Sequence, residues 1–403
     1  MQQRSKSYRR NQILLIAGII FIAFNLRPAI TAVGPIIGSI RADMGLSNGI
    51  AGLITTLPLL SFAVLSLLAP KIGYLLGNER SVFIGLIILI IGICIRSAGF
   101  NFTLFIGTAL LGVGIAIGNV LLPSIVKQNF PERVGLMTSI YSTSMTTFAA
   151  FGSGISIPLA QGMQLGWQKA LLSWSLLAML AACIWIPQLQ RNASIQHVKR
   201  QTHPHASIWR SAVAWQVTLF MGLQSFIFFS TVAWIPDILH SHGISIATSG
   251  WMLSFMQFIS LPTTFLAPLL ASRLKNQISI IIGIGVLYFL GILGLFAGHH
   301  HVLVMGSIVC IGLSQGATIS LALALIGLRS ENAVQAAELS GMAQSVGYFC
   351  AAAGPILLGF LLDRTHSWTP SILVLMVIVI IMTAAGAGAG RNKYVLESKN
   401  IVP

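Results

Sequence analysis

The stretch QLQRNASIQHVKRQTHPHASIWRS, residues 188–211, is the longest polar segment of a chain that is otherwise dominated by apolar runs. It contains four basic residues and three histidines. On each side of it we count six apolar runs, each long enough to cross about 30 Å of hydrocarbon at about 1.5 Å per residue. The segment therefore predicts a linker between two sets of six membrane-spanning helices.

The composition excludes an ordinary soluble protein. Of the 403 residues, 55% are hydrophobic and 8% are charged, whereas soluble domains carry about 25% charged residues. The formal net charge of +15 comes from scattered basic residues and not from a basic stripe with interleaved aromatics, so nucleic acid is not an expected partner. The expected surroundings are a lipid bilayer, and no metal site or cofactor is predicted.

The distribution of Lys and Arg predicts the orientation. Of the 23 basic residues, 18 fall in the tails and loops of one face, and Arg27 lies inside the first span. Cytoplasmic loops carry the excess of basic residues in membrane proteins, so both termini are expected in the cytoplasm. The opposite face holds the remaining four: Arg41, Arg96, Lys169 and Arg364.

The two sets of spans repeat each other in sequence. An ungapped offset of 198 residues aligns glycine and proline positions as well as common apolar ones, for example Pro70 with Pro268 and Gly114 with Gly312. Parallel repeats of six spans are a known transporter architecture. We predict an all-α membrane protein with twelve transmembrane helices in two six-helix halves. The predicted segments are a cytoplasmic N-terminal tail (1–11), the N-terminal six-helix half (12–187), a cytoplasmic central loop (188–211), the C-terminal six-helix half (212–389) and a cytoplasmic C-terminal tail (390–403).

Arg27 is the ionisable residue that we place deepest in a span, in the segment NLRP that begins at Asn25. A charge inside the membrane costs a few kcal/mol and usually marks a functional site. Pro28 lacks the N–H that would bond the Phe24 carbonyl, so a polar, partly unwound pocket is expected there. Thr31 shares the helical face of Arg27, whereas Asn25 lies on another face and is expected to orient the site or to bond a neighbouring helix.

The positions of the acidic residues favour an anionic ligand. All eight lie near span ends or in loops, and a guanidinium in a cavity that contains no carboxylate favours an anionic or strongly dipolar solute. The same absence disfavours a pump for cationic drugs. The acids are Asp43, Glu79, Glu132, Asp237, Glu331, Glu338, Asp363 and Glu397.

Other polar side chains in the span interiors are candidates for the same cavity. Two roles are open for each of them: contact with the solute, or a hydrogen bond to a neighbouring helix. Gln344 and Tyr348 share a helical face, and the repeat places Tyr141 near their depth. The candidates that we add to Arg27, Asn25, Pro28 and Thr31 are Asn119, Tyr141, Gln224, Gln344 and Tyr348. Gly73, Glu79 and Arg80, in the second-to-third loop, are candidate gate residues.

Three motifs resemble the cyanate porter family of the major facilitator superfamily: NLRPAITAVGP (25–35), NVLLPSIVKQNFPERVGLMTSIYS (119–142) and SGMAQSVGYFCAAAGP (340–355). The resemblance implies a bacterial inner-membrane transporter that works by alternating access. One departure is that Gly77 stands where the superfamily's loop motif usually has an acid. The matching site residues are Asn25, Arg27, Pro28, Asn119, Gln344 and Tyr348.

The leading hypothesis is therefore a secondary transporter of a small polar or anionic solute, active as a monomer, with its central site around Arg27. The chain contains no G-x-x-x-x-G-K-[ST] segment, which excludes ATP-driven pumping by this chain. The alternative is an efflux transporter for drug-like solutes such as nitroimidazoles. A membrane-embedded enzyme or receptor is disfavoured, because no nucleophile, base and acid converge within the spans.

Overall fold

The computed structural model describes residues 2–46, 48–189, 208–298 and 300–396. Most of the predicted central loop, 190–207, and the end of the C-terminal tail lie outside these ranges. The described residues form helices and connecting turns without a β-strand. The predicted all-α membrane fold is confirmed.

Fifteen α-helices occur in the described residues. They are α1 (Gln2–Asn25), α2 (Pro28–Thr31), α3 (Ile37–Met44), α4 (Asn48–Leu76), α5 (Asn78–Arg96), α6 (Asn101–Asn129), α7 (Val134–Ile157), α8 (Gly166–Leu172), α9 (Trp174–Leu189), α10 (Ala212–Ser241), α11 (Ile246–Arg273), α12 (Ile278–Leu293), α13 (His301–Leu328), α14 (Ala333–Thr365) and α15 (Thr369–Ala389).

These helices account for the twelve predicted spans. Eleven segments of the described chain are long and apolar enough to cross a membrane. The first of them, Gln12–Met44, combines α1, α2 and α3, and another, Gly166–Leu189, combines α8 and α9. Helix α7 is the remaining long helix, and its 24 residues reach about 36 Å at about 1.5 Å per residue.

The chain forms two compact units. The first comprises Met1–Ile125 and Ile140–His205, and the second comprises Val126–Ser139 and Ala206–Pro403. The unit boundaries thus differ from the predicted halves, because the hairpin between α6 and α7 joins the second unit. Its packing there is close: a Cβ built at Gly135 would lie 2.5 Å from the Pro268 carbonyl oxygen.

Glycines allow close helix approaches in each unit. In the first unit a Cβ at Gly114 would lie 2.5 Å from the carbonyl oxygen of Gly85, so α5 and α6 touch backbone to backbone. In the second unit a Cβ at Gly312 would lie 2.5 Å from the Met256 carbonyl oxygen on α11. Small residues allow such approaches between membrane helices. Gly114 and Gly312, which the repeat aligns, therefore both lie at close helix contacts.

A network of hydrogen bonds joins several helix ends of the second unit. Arg329, just after α13, is buried and donates from Nη2 to Oε1 of Gln277, which precedes α12. The Gln277 amide nitrogen Nε2 donates to the carbonyls of Ala271 and Leu274, each at 2.9 Å. The Gln277 backbone N–H donates to the Gly390 carbonyl at 2.9 Å. The ends of α11, α12, α13 and α15 are therefore tied together through two side chains.

Candidate functional site

The first span is broken at the position of Arg27. Helix α1 ends at Asn25, α2 begins at Pro28, and Arg27 adopts φ −126° and ψ −39° between them. Proline has no N–H to donate to a preceding carbonyl, so the hydrogen-bond ladder stops here. The Arg27 carbonyl accepts the N–H groups of Ile30 at 3.0 Å and Thr31 at 3.1 Å, and the chain resumes as a short new helix. The expected unwinding at this segment is present.

The Arg27 side chain is partly exposed, whereas the residues around it in the sequence are buried. Leu26 and Ala29 are each 3% exposed, and Arg27 lies in the intermediate class. The break therefore leaves the Arg27 side chain partly exposed between buried apolar neighbours. A charge presented in this way by a membrane helix is suited to hold an anionic or strongly dipolar group.

Helix α7 fixes α2 in place. Thr31 Oγ1 donates to the Ala149 carbonyl at 2.9 Å, and Ser153 Oγ donates to the Thr31 carbonyl at 3.2 Å. A Cβ built at Gly152 would lie 3.0 Å from Cα of Pro28. The hydroxyl of Thr31 thus bonds α7, and its role as a solute ligand stays a prediction.

Asn25 joins the end of α1 to α9. Its Nδ2 donates to the Phe21 carbonyl at 2.8 Å and to the Leu177 carbonyl at 3.3 Å. The side chain is 4% exposed. Both amide hydrogens are therefore used within the protein, which matches the expectation that Asn25 bonds a neighbouring helix. Contact between Asn25 and a solute stays a prediction.

The other candidates of the first unit are more enclosed than Arg27. Asn119 lies in α6 and Tyr141 lies near the start of α7, and both side chains are buried. Pro28 is also buried at the first position of α2. These positions bring polar groups into three helices of one unit, and their contact with a solute remains untested.

The candidates of the second unit lie on two helices. Gln224, in α10, donates from Nε2 to Ser225 Oγ at 2.8 Å. Gln344, in α14, donates from Nε2 to Ser340 Oγ at 2.9 Å, one turn earlier on the same helix. Both glutamines are buried, whereas Tyr348 is partly exposed. Contact of these three residues with a solute also remains a prediction.

The loop predicted to form a gate is well packed. A Cβ built at Gly73 would lie 2.7 Å from Oδ1 of Asn78, and the Asn78 amide donates to Ser124 Oγ on α6 at 3.0 Å. Glu79 is buried in the first turn of α5, and its carbonyl accepts Trp185 Nε1–H at 2.9 Å. Arg80 is exposed. Gly73 and Glu79 thus support helix packing, and gating by these residues stays a prediction.

The sequence interpretation missed a second buried arginine. Arg96 was assigned to the face opposite the termini, and the structure buries it at the end of α5, with 1% of its surface exposed. Nη1 donates at 2.6 Å to the carbonyl of Ala29, which lies in α2, four residues after the end of α1. Arg27 is therefore not the only arginine held inside the helices. The small residues Gly92 and Gly107, which let α5 and α6 meet beside Arg96, were the available signal.

A polar cluster inside the second unit was also not grouped from the sequence. Gln315 of α13 donates from Nε2 to Thr231 Oγ1 of α10 at 2.6 Å. Tyr288 of α12 is fully buried beside Gln315. Three helices thus contribute one hydroxyl, one amide and one phenol to a common site. Their separation of 84 residues between Thr231 and Gln315 hid this grouping from pattern reasoning.

Known proteins resemble this chain over most of its length. A family model described as the Major Facilitator Superfamily matches residues 13–355. The chain is 59% identical over 386 residues to the uncharacterized transporter YycB of Bacillus subtilis (strain 168), which covers 96% of this chain and 95% of that protein. It is 41% identical over 366 residues to the 2-nitroimidazole transporter of Escherichia coli (strain K12), with 90% and 92% covered.

A more distant relative and a solved structure extend the comparison. The chain is 28% identical over 344 residues to the cyanate transport protein CynX of Escherichia coli (strain K12), which covers 85% of this chain and 88% of that protein. The structure of the proton:xylose symporter XylE bound to 6-bromo-6-deoxy-D-glucose aligns with a TM-score of 0.72 at 14% identity, covering 95% of this chain and 97% of that one. This structural likeness concerns the fold alone.

Proposed function

The chain belongs to the major facilitator superfamily as a secondary transporter of small solutes, and we propose that its solute is anionic or strongly polar and binds at Arg27. Transport proceeds by alternating access, in which the two six-helix halves expose a shared site to one side of the membrane at a time. Arg27 holds the negative end of the solute.

The observation that carries this proposal is the helix break that presents Arg27. The guanidinium is partly exposed at a point where the backbone ladder of the first span is interrupted, between buried neighbours. The described acids lie within about two turns of helix ends or in loops, as shown by Glu79 in the first turn of α5 and Glu338 in the second turn of α14. The positive charge at the break therefore favours a solute that brings its own negative charge or a strong dipole.

The chemistry of guanidinium narrows the solute further. Its planar fork donates two parallel hydrogen bonds to a group with two acceptor atoms. Carboxylates, small oxyanions and nitro groups present two such oxygens, and cyanate presents acceptor atoms at both ends. We propose a small planar solute of this type, with polar side chains completing the site. Those proposed for this purpose are Asn25, Pro28, Thr31, Asn119, Tyr141, Gln224, Gln344 and Tyr348.

A nitroimidazole is the second candidate solute. It is favoured by the identity of 41% to a protein named 2-nitroimidazole transporter, against 28% to a protein named cyanate transport protein. A nitro group offers two oxygens to one guanidinium, so the same Arg27 site accepts it. In this second candidate the protein exports the drug-like solute.

The location and organisation that we propose follow the charge pattern. The 18 basic residues on the face of the termini support insertion in a bacterial inner membrane with both termini in the cytoplasm. The linker of residues 188–211 joins halves 12–187 and 212–389, and one chain is the functional unit. Gly73, Glu79 and Arg80 are proposed to close the cytoplasmic side of the path.

Transport of a panel of labelled solutes tests the proposal. The purified chain is reconstituted in sealed vesicles, and counterflow is measured for cyanate, nitrate, formate, 2-nitroimidazole and a cationic dye. We expect saturable counterflow for at least one planar anion or nitro compound and none for the cation. Protein-free vesicles report passive leakage. Saturable counterflow of the cation alone would contradict the proposal, and conversion of a solute without its movement would indicate an enzyme.

A further inference from the structure

Arg96 is the strongest unexplained feature of the first unit, because its charge is buried without full compensation. The side chain is 1% exposed, and Nη1 alone has a described hydrogen-bond partner, the Ala29 carbonyl at 2.6 Å. Nε and Nη2 are buried, and no described residue accepts a hydrogen bond from either of them. A buried charged group with open donors is costly unless another group satisfies it.

The Ala29 carbonyl is available to Arg96 because of the break in the first span. The Val33 N–H, which a regular helix would donate to Ala29, donates instead to the Ile30 carbonyl at 3.2 Å. The Ala32 N–H donates to the Pro28 carbonyl at 2.9 Å. In this tightened turn the Ala29 carbonyl oxygen does not accept the Val33 N–H, and it accepts a hydrogen bond from the Arg96 guanidinium instead. The Arg96 side chain is thus held in place by one of its three nitrogens.

The open nitrogens form one side of the guanidinium plane. Nε–H and one Nη2–H point in parallel, which is the edge that receives two acceptor atoms of a planar anion side-on. Backbone contact between α5 and α6 supports this arrangement: a Cβ at Gly92 would lie 2.5 Å from the Leu111 nitrogen. The helices therefore meet closely one turn before Arg96.

The acids of the first unit do not supply that partner. Its two described acids are Asp43 and Glu79. Asp43 is exposed and accepts hydrogen bonds from Trp167 Nε1 at 2.8 Å and Gln168 Nε2 at 3.0 Å. Glu79 lies at the other end of α5, 17 residues from Arg96, which is about 25 Å along the helix. Neither described acid of the first unit therefore compensates the charge of Arg96, and its Nε and Nη2 have no hydrogen-bond acceptor among the described residues.

We propose that Arg96 binds a small anion through its Nε and Nη2 edge, as a second anion site distinct from Arg27. The ligand is a planar anion with two acceptor atoms, such as nitrate or formate. It is either the transported solute or a resident ion that stays with the protein. The site is assigned from the burial and open donors of Arg96 and does not require that Arg27 binds solute.

The test measures anion binding by the purified full-length chain and requires no transport. Apparent Tm in detergent is recorded while sodium nitrate or sodium formate replaces sodium gluconate at constant ionic strength. We expect a saturable rise, because a ligand that binds the folded state stabilises it. In Arg96→Lys, which keeps the charge but lacks the planar edge, the half-saturating concentration is expected to rise at least about tenfold.

Two matched variants and a direct assay keep the result decisive. The exposed-arginine control Arg273→Gln is expected to retain the wild-type half-saturation, whereas Arg27→Gln, which removes the proposed solute site, is expected to leave one saturable anion site. If Arg96→Lys does not fold, equilibrium dialysis of labelled formate on the wild type replaces it, with about one displaceable formate per chain expected after Arg27→Gln as well. The proposal is overturned if the wild type shows no saturable anion effect and binds no formate. It is also overturned if Arg96→Lys keeps the wild-type half-saturation, or if Arg27→Gln alone abolishes binding.

Competition identifies the source of the anion. If a solute shown to be transported displaces labelled formate, the Arg96 site belongs to the transport path. If formate remains bound while transport saturates, the anion is resident. Either result supports an anion at Arg96, and failure of this site leaves the Arg27 proposal to be judged by transport alone.

Discussion

Thr31 Oγ1 donates a hydrogen bond to the carbonyl oxygen of Ala149 at 2.9 Å, which ties the short helix after Arg27 to α7. The two residues are 118 positions apart in the sequence. The bond matters because α2 has four residues and is too short to hold its own orientation. We therefore infer that the orientation of the Arg27 side chain depends on the hydrogen bond between Thr31 and α7.

Replacement of Thr31 by valine tests this dependence. Valine keeps the shape of the side chain but removes the hydroxyl, and hydrogen bonds between membrane helices contribute about 0.6 kcal/mol on average. We expect Thr31→Val to raise the KM of counterflow by about two- to threefold at normal protein levels. Thr31→Ser, which keeps the hydroxyl, should stay near wild type. Equal KM values for both variants would show that the bond to Ala149 does not position the site.

Gly152 provides a steric test of the same contact. A Cβ at this position would lie 2.7 Å from Thr31 Oγ1 and 3.0 Å from Pro28 Cα, so a side chain there pushes against backbone that has no room to move. We expect Gly152→Leu to destabilise the protein by about 1–3 kcal/mol and to lower both apparent Tm and counterflow. Gly154 is a matched control on the same helix, because no atom lies within 4 Å of a Cβ there. Similar losses in Gly154→Leu would contradict a specific clash with α2.

The hydrogen-bond network around Arg329 predicts a stability effect that involves none of the proposed site residues. Burial lowers the pKa of the Arg329 guanidinium below its ordinary value, and Gln277 accepts its Nη2–H. Gln277→Ala removes this acceptor and is expected to cost about 1–3 kcal/mol, since a buried charged donor keeps only the longer bond to the Gly390 carbonyl at 3.4 Å. The apparent Tm should fall while the KM of counterflow stays unchanged. The exposed neighbour Asn276 gives the control Asn276→Ala, and an equal fall in that variant would refute the assignment.

The fold was predictable because hydropathy and charge act along the chain. Twelve apolar runs and a basic polar stretch at 188–211 are local features, and they indicated the helices that the structure contains. The break at Arg27 was also predictable, because a proline removes a hydrogen bond at a known position. The hairpin Val126–Ser139 was not assigned to the second unit, because its packing against Pro268 involves residues far away in the sequence.

The candidate site was less accessible to pattern reasoning. Arg96 lies at the end of an apolar run, so hydropathy and charge assigned it to the membrane face opposite the termini and gave no sign that its side chain is buried. Its burial depends on the close approach of α5 and α6 at Gly92 and on a carbonyl that the first span leaves open at Ala29. Asn25 shows the opposite case: the sequence left open whether it orients the site or bonds a neighbouring helix, and its amide hydrogen-bonds α9. Depth in a span is a sequence property, whereas the partner of a side chain is a property of packing.

The most direct test of the proposed mechanism is counterflow of the transported solute by Arg27→Lys and Arg27→Gln at matched protein levels in vesicles. Lysine keeps the charge without the planar fork, and glutamine removes the charge. We predict that Arg27→Gln lowers kcat/KM at least about a hundredfold and Arg27→Lys about tenfold, with apparent Tm within a few degrees of wild type. Wild-type kcat/KM in Arg27→Gln would contradict the claim that Arg27 binds the negative end of the solute.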